Sequence, residues 1–211
     1  MSKIKKAFFC KNCGYESAKW VGKCPACNEW NTFTEEIIHK EKSNKENWKQ
    51  IAKGESKSVV LNEIVSEEKQ RIVTKDHELN RVLGGGIVPG SLVLVAGEPG
   101  IGKSTLFLQD ALMMNELRVL YISGEESEQQ IKMRANRINI AHDAFFLLTE
   151  TSTQSVFQEI KKIQPQLVII DSIQTLQSPY IDSSPGTISQ IRECTAEFQR
   201  FAKETQTPVF L

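Results

Sequence analysis

Two sets of residues in this sequence have the types and spacing to do chemistry. The first is Gly97-Glu98-Pro99-Gly100-Ile101-Gly102-Lys103-Ser104, which fits G-x-x-x-x-G-K-[ST] at every position. Its glycines let the backbone curl so that successive N–H groups point at phosphate oxygens. A helix starting behind the loop adds the partial positive charge of its N-terminus. In such a loop Lys103 reaches the β- and γ-phosphates and the Ser104 hydroxyl ligates Mg²⁺. Thr105 is expected to hold the α-phosphate. The ligand class is a nucleoside triphosphate, with ATP the expected member; a glycine-rich structural turn is the competing reading.

Such a loop needs a second carboxylate on the metal side, at the end of a neighbouring strand. Leu167-Val168-Ile169-Ile170-Asp171 supplies four apolar residues and then an aspartate, 67 residues beyond Ser104. The alternative for Asp171 is a cap on the next helix. Hydrolysis also requires a group that orients or deprotonates water. Glu125 and Glu126 follow Tyr121-Ile122-Ser123-Gly124, past the end of a second apolar run. Carboxyl ends of parallel strands are where ligands sit in open α/β sheets, so one of this pair is the candidate. Acids also suit the first turn of a helix, where they complement its dipole, and the two roles are compatible.

The second set is four of the five cysteines, paired as Cys10-Lys11-Asn12-Cys13 and Cys24-Pro25-Ala26-Cys27 with ten residues between. Four thiolates in two Cys-x-x-Cys knuckles suit a closed, tetrahedral Zn²⁺ site with no open position for a reacting water. A segment this short buries little apolar surface, so the metal would supply most of its folding free energy. Unligated reduced cysteines and a redox dithiol are the competing readings. Six lysines (Lys3, Lys5, Lys6, Lys11, Lys19 and Lys23) face one acid, Glu16, before residue 29. With Tyr15, Trp20 and Trp30 among them, the module offers either a nucleic-acid or protein contact surface or a solvated basic ribbon with packed aromatics. Cys194 falls on the apolar side of a helical pattern and reads as a small buried hydrophobe. His39, His77 and His142 have no paired ligand spacing and receive no site.

These residues need elements to position them. The 211-residue chain has room for one substantial domain and a small one. Residues 1–33 form the cysteine module. Residues 34–58 are charged, polar and weakly periodic, a flexible linker in which Trp48 is either a docking anchor or a residue covering a nearby surface. From residue 59 to 211 strands and helices alternate. Expected strands lie over 91–96, 118–123, 144–148 and 166–171, with one more opening at 208–211. Expected helices run from 103 to about 115, over 125–137 and over 156–163. Ile188, Ile191, Cys194, Phe198 and Phe201 mark a further amphipathic helix. Alternation of this kind predicts βαβ units and a mainly parallel sheet covered on both faces. The fold class is therefore α/β, a RecA-like P-loop core behind a small four-cysteine zinc ribbon.

Bulk composition narrows the function. Twenty-six basic residues balance 26 acidic ones, so no overall positive field advertises nucleic acid and any such binding must be local. No run approaches the roughly 20 apolar residues that span a bilayer, and no apolar segment follows the basic start, which points to a cytoplasmic protein with no membrane partner.

Together the pieces are more specific than any one of them. The stretch from Phe9 to Asn31 resembles the zinc motif of the bacterial RadA/Sms family of DNA repair proteins. Leu79-Asn-Arg-Val-Leu-Gly-Gly-Gly-Ile-Val-Pro-Gly-Ser91 is similar to the family's entry into its ATPase core, and the P-loop, Tyr121–Ser127 and the Asp171 strand follow in the family's order. The resemblance implies an ATP-dependent motor on single-stranded or branched DNA, promoting branch migration beside the RecA recombinase. It further implies a hexameric ring in the full-length form. Carried over by position, Cys10, Cys13, Cys24 and Cys27 become zinc ligands, Gly97 to Thr105 the ATP site, Glu125 the water-activating acid and Asp171 the Mg²⁺-side acid. Family members are about twice this length, so a core truncated at its C-terminal end is expected. Two alternatives belong to other classes: a fragment that binds ATP and DNA without turnover, and a RecA-like signalling ATPase whose zinc ribbon docks protein.

Overall fold

The computed structural model describes residues 4–39, 58, 60–63 and 70–211. Strand β1 (Ile4–Cys10) pairs antiparallel with the short β2 (Glu16–Ser17) and, over its full length, with β3 (Phe33–His39), from Ile4↔His39 to Cys10↔Phe33. The stretch that composition marks as linker thus begins as strand: residues 34–39 lie in the ladder. Residues 40–57, Trp48 included, are outside the described residues.

The larger part of the chain alternates as its periodicity predicts. Helix α1 (His77–Val82) is capped by Asp76, whose carboxylate accepts from the N–H groups of Glu78 and Leu79. Then come β4 (Leu92–Val93), α2 (Lys103–Met113), β5 (Val119–Ser123), α3 (Glu128–Ile138), β6 (Phe145–Thr149) and α4 (Thr153–Ile163). The chain continues through β7 (Leu167–Asp171), β8 (Ile181–Asp182), α5 (Ile188–Thr205) and β9 (Val209–Phe210). Five strands form one parallel sheet in the order β4-β9-β7-β5-β6. At the β4 edge the ladder is shorter than the apolar run over 91–96, although the Val95 N–H still donates to Leu211 O at 2.9 Å.

Period-2 alternation along the central strands divides the core. Leu120, Ile122, Val168 and Ile170 pack with Val156 and Ile160 of α4 and with Cys194, Phe198 and Phe201 of α5. Val119, Tyr121, Leu167 and Ile169 pack on the opposite face with Phe107, Leu108 and Leu112 of α2 and Ile131 of α3. Each fully buried Leu, Ile or Phe contributes roughly 1.5–3 kcal/mol, and this two-sided burial holds the strand ends in place.

The small sheet does not stop at the cysteine module. β3 also pairs with β8, Ile37↔Asp182 and Ile38↔Ile181, giving the order β2-β1-β3-β8. Beside this join the Ser189 hydroxyl donates to buried Glu36 at 2.9 Å, and Arg192 donates to Gly14 O. Burial raises the Glu36 carboxyl above its ordinary value, against the opposing Ser189 hydrogen bond.

Candidate nucleotide site and candidate metal centre

Between β4 and α2 the chain makes the loop that the G-x-x-x-x-G-K-S pattern demands. Gly100 (φ 80) and Gly102 (φ 102) take left-handed conformations, and Gly102 is the N-cap of α2. No side-chain oxygen caps this helix, which leaves its N-terminus without a side-chain acceptor, as an anion-binding helix start requires. Lys103 Nζ donates to Gly97 O at 2.7 Å and to Glu98 O at 2.9 Å, closing its side chain over the loop. Thr105 is exposed on the first turn.

Parallel pairing of β5 with β7 puts Ser123 opposite Asp171 and aligns their carboxyl ends. Asp171 meets the loop there. Its Oδ1 accepts from the Ser104 hydroxyl at 3.0 Å, and its Oδ2 accepts from the Tyr121 phenol at 2.6 Å. Tyr121 is fully buried. Burial, and then the Asp171 charge beside it, push its phenol far above the ordinary tyrosine range, so it stays a donor. Sequence reasoning missed Tyr121 as part of the site. The signal was present: in β5, Tyr121 lies two residues before Ser123 and shares its face, the face Asp171 occupies next door.

Glu125 and Glu126 do not lie in a helix. Ser127 caps α3 in a capping box with Gln130, so the helix starts at Glu128 and both acids precede it. The expected helix over 125–137 thus begins late, and the dipole role passes to Glu128. The two acids have different neighbours. Glu126 pairs with Arg134 at 3.0 Å, whereas exposed Glu125 accepts from the Ser172 hydroxyl at 2.9 Å, next to Asp171.

Gly124 is what brings this turn so close. A Cβ there would lie 2.6 Å from Thr175 Cβ and 3.1 Å from Thr151 Cγ2, at a backbone angle that alanine tolerates. Gly124→Ala is therefore expected to cost about 1–3 kcal/mol through overpacking and to push Glu125 off Ser172. A shift of the denaturation midpoint with no change in slope checks it; an unshifted midpoint rules the crowding out.

In the small sheet the four cysteines converge. Their sulfur atoms all lie within 4.8 Å of one another, with Cys10–Cys27 and Cys13–Cys24 each at 3.6 Å. A tetrahedral site with Zn–S near 2.3 Å has edges of about 3.8 Å, so the donor set fits zinc, while disulfide sulfurs would be about 2.05 Å apart. Cys10 and Cys24 are buried, and the Thr32 hydroxyl lies 3.1 Å from Cys10 Sγ. Around the knuckles Tyr15, Trp20 and Trp30 are 42%, 54% and 66% exposed, and Lys23 Nζ stands 5.8 Å from the Trp30 ring centre. Cys194 is in the core instead, where burial and the nearby Glu197 charge push its thiol up to about 12.

A glycine-rich loop between a strand and a helix, beside a strand-end aspartate in a parallel sheet, defines a P-loop α/β domain. The chain belongs to the AAA domain family, whose model matches residues 60–211. A second family model, the rubredoxin metal binding domain, matches residues 8–35. Over its whole length the chain is 49% identical to the DNA repair protein RadA of Halalkalibacterium halodurans and 48% identical to that of Listeria monocytogenes. It is 45% identical to the DNA repair protein RadA of Bacillus subtilis. Each alignment covers all of this chain and 47% of the relative, so the chain spans about half the length of the curated relatives it matches. Among the described residues no helix is long and apolar enough to cross a membrane.

Proposed function

We propose that this chain carries the nucleotide site and zinc ribbon of a DNA-stimulated ATPase of DNA repair. The observation that carries the reading is the meeting of Ser104 and Asp171 at 3.0 Å, which joins the P-loop to the carboxyl end of β7. In this reading backbone N–H groups of the 97–105 loop, Pro99 excepted, cradle the phosphates of ATP and Lys103 neutralises the β- and γ-phosphates. Ser104 and Asp171 would hold Mg²⁺, which would supply positive charge against the phosphates. Tyr121 anchors Asp171 from behind. Glu125 orients a water in line with the γ-phosphorus and accepts its proton, while the bridging oxygen leaves with ADP. Glu125 is favoured over Glu126 because Glu126 is occupied by Arg134.

Residues 1–33, with the strand that continues to residue 39, serve as the metal module and 59–211 as the ATPase core. The exposed Trp20 and Trp30 with the lysines beside them suit stacking on single-stranded or branched DNA. The relatives' name supports a repair role. Action with the RecA recombinase in branch migration, assembly as a hexameric ring and a cytoplasmic setting complete the proposal; reduced cysteines at a metal site fit such a compartment.

The test is ATP hydrolysis with and without single-stranded DNA, beside Lys103→Ala. DNA-stimulated turnover that disappears in Lys103→Ala supports the enzyme reading. ATP binding with no turnover refutes it for this chain and leaves a nucleotide-binding piece. DNA affinity that fails to fall steeply with salt points the ribbon at protein instead.

A further inference from the structure

Ser172 directly follows Asp171 and precedes the short 3-10 helix Ile173–Thr175, a position at which serine ordinarily caps the helix with its side-chain oxygen. Here the side chain makes no capping hydrogen bond. The backbone closes the turn instead: the Thr175 N–H donates to Ser172 O at 3.2 Å, and the Thr175 hydroxyl donates to the same carbonyl at 2.8 Å. The Ser172 hydroxyl thus has no part in its own turn, and it donates across to Glu125 Oε1 at 2.9 Å.

The register of the sheet sets up this meeting. β5 and β7 pair with Ser123 opposite Asp171, so the residues just beyond the two strands are Gly124 and Ser172. Gly124 packs against the Thr175 side chain, which keeps the two turns together. Neighbouring residues of one segment therefore hold both acids of the site. Asp171 accepts from Ser104 on the loop, and Ser172 donates to Glu125. Glu125 is exposed, and an exposed glutamate loses rotamer freedom when it is held in one orientation. A hydroxyl on one carboxylate oxygen fixes the plane of the group and leaves the other oxygen as an acceptor.

We infer that Ser172 is a positioning residue for hydrolysis: its hydroxyl holds the Glu125 carboxylate so that the second oxygen meets the attacking water. The inference rests on the ATPase reading above and deepens it. Ser172 touches neither nucleotide nor metal in this scheme and acts through Glu125 alone. Its loss therefore slows turnover without loosening ATP.

The experiment measures Mg²⁺-ATP affinity and single-turnover hydrolysis for the wild type, Ser172→Ala, Ser172→Thr, Glu125→Gln and the double variant Ser172→Ala with Glu125→Gln. Losing one hydrogen bond to a charged group is expected to slow hydrolysis about tenfold in Ser172→Ala. ATP affinity and the Mg²⁺ concentration giving half the maximal rate should each change less than about twofold, because the phosphate and metal contacts are untouched. Ser172→Thr keeps the hydroxyl, and the extended backbone at this position (φ −120, ψ 160) suits a β-branched residue, so its rate should return to near the wild-type value. In the Glu125→Gln background Ser172→Ala should slow hydrolysis less than about twofold further, since the group it positions is already gone. The inference is overturned, with the ATPase reading standing, by an unchanged rate in Ser172→Ala, by the same loss in both backgrounds, by a matching loss of ATP affinity or Mg²⁺ response, or by Ser172→Thr as slow as Ser172→Ala. A wild type that binds ATP and does not hydrolyse it overturns the ATPase reading and this inference with it.

Discussion

Glu125→Gln is expected to bind ATP as the wild type does and to turn it over about 10²–10⁴-fold more slowly. The substitution preserves shape, and a glutamine carbonyl can still accept from the Ser172 hydroxyl 2.9 Å away, so the side chain keeps its place. What it loses is the capacity to take a proton from water. In the proposed reading the phosphate contacts lie elsewhere, on the loop at 97–105, which is why affinity should not follow activity. Glu126→Gln is the informative control, because its carboxylate faces Arg134 rather than the strand ends. It should change turnover less than Glu125→Gln does. Measuring nucleotide affinity and single-turnover hydrolysis on both variants separates the roles; unchanged hydrolysis in Glu125→Gln would remove its assignment.

How much of this was legible beforehand depends on how local each feature is. The loop, its flanking strand and helix, and Asp171 at a strand end are written in contiguous residues, and they stand where their spacing puts them. Helix α2 ends at Met113, near the expected 115, and β7 ends on Asp171 as its apolar run predicts. Contacts between distant segments were harder. Tyr121 reaches Asp171 only because β5 and β7 are neighbours, and Ser172 reaches Glu125 for the same reason. Helix α5 shows a different limit. Its apolar positions Cys194, Phe198 and Phe201 are buried as periodicity predicts, yet Gln190 and Glu197 are buried beside them. Gln190 donates to the carbonyls of Ile181 and Ser183 and Glu197 accepts from Ser178, so these polar residues close off a loop that helical periodicity does not describe. The pairing of β3 with β8 is likewise invisible to composition, since it joins the metal module to a segment beyond β7.

Stripping the metal from the four-cysteine centre is expected to unfold the small sheet and spare the large one. The ribbon's own core is slight: Cys10, Cys24 and Phe33 with Phe8 and Cys27 packed against them. Burying one or two aromatic side chains contributes roughly 1.5–3 kcal/mol each, far below the about 10–16 kcal/mol a structural zinc supplies to a small domain at neutral pH. The contacts to the larger part are no substitute. Among the described residues they include the short β3–β8 ladder, the Ser189–Glu36 hydrogen bond, the Arg192–Gly14 contact and Ile188 packed against Gly14. Each such bond contributes about 0.5–1.5 kcal/mol net, less than the chain entropy of ordering β1 to β3. Amide exchange after chelation, or in Cys24→Ser, should therefore lose protection across β1, β2, β3 and β8. The amides of β5 and β7, buried between two helical layers, should keep theirs, and ATP binding should survive. Protection that persists in β1 and β3 without metal would mean that docking on β8 and α5, rather than zinc, holds the ribbon.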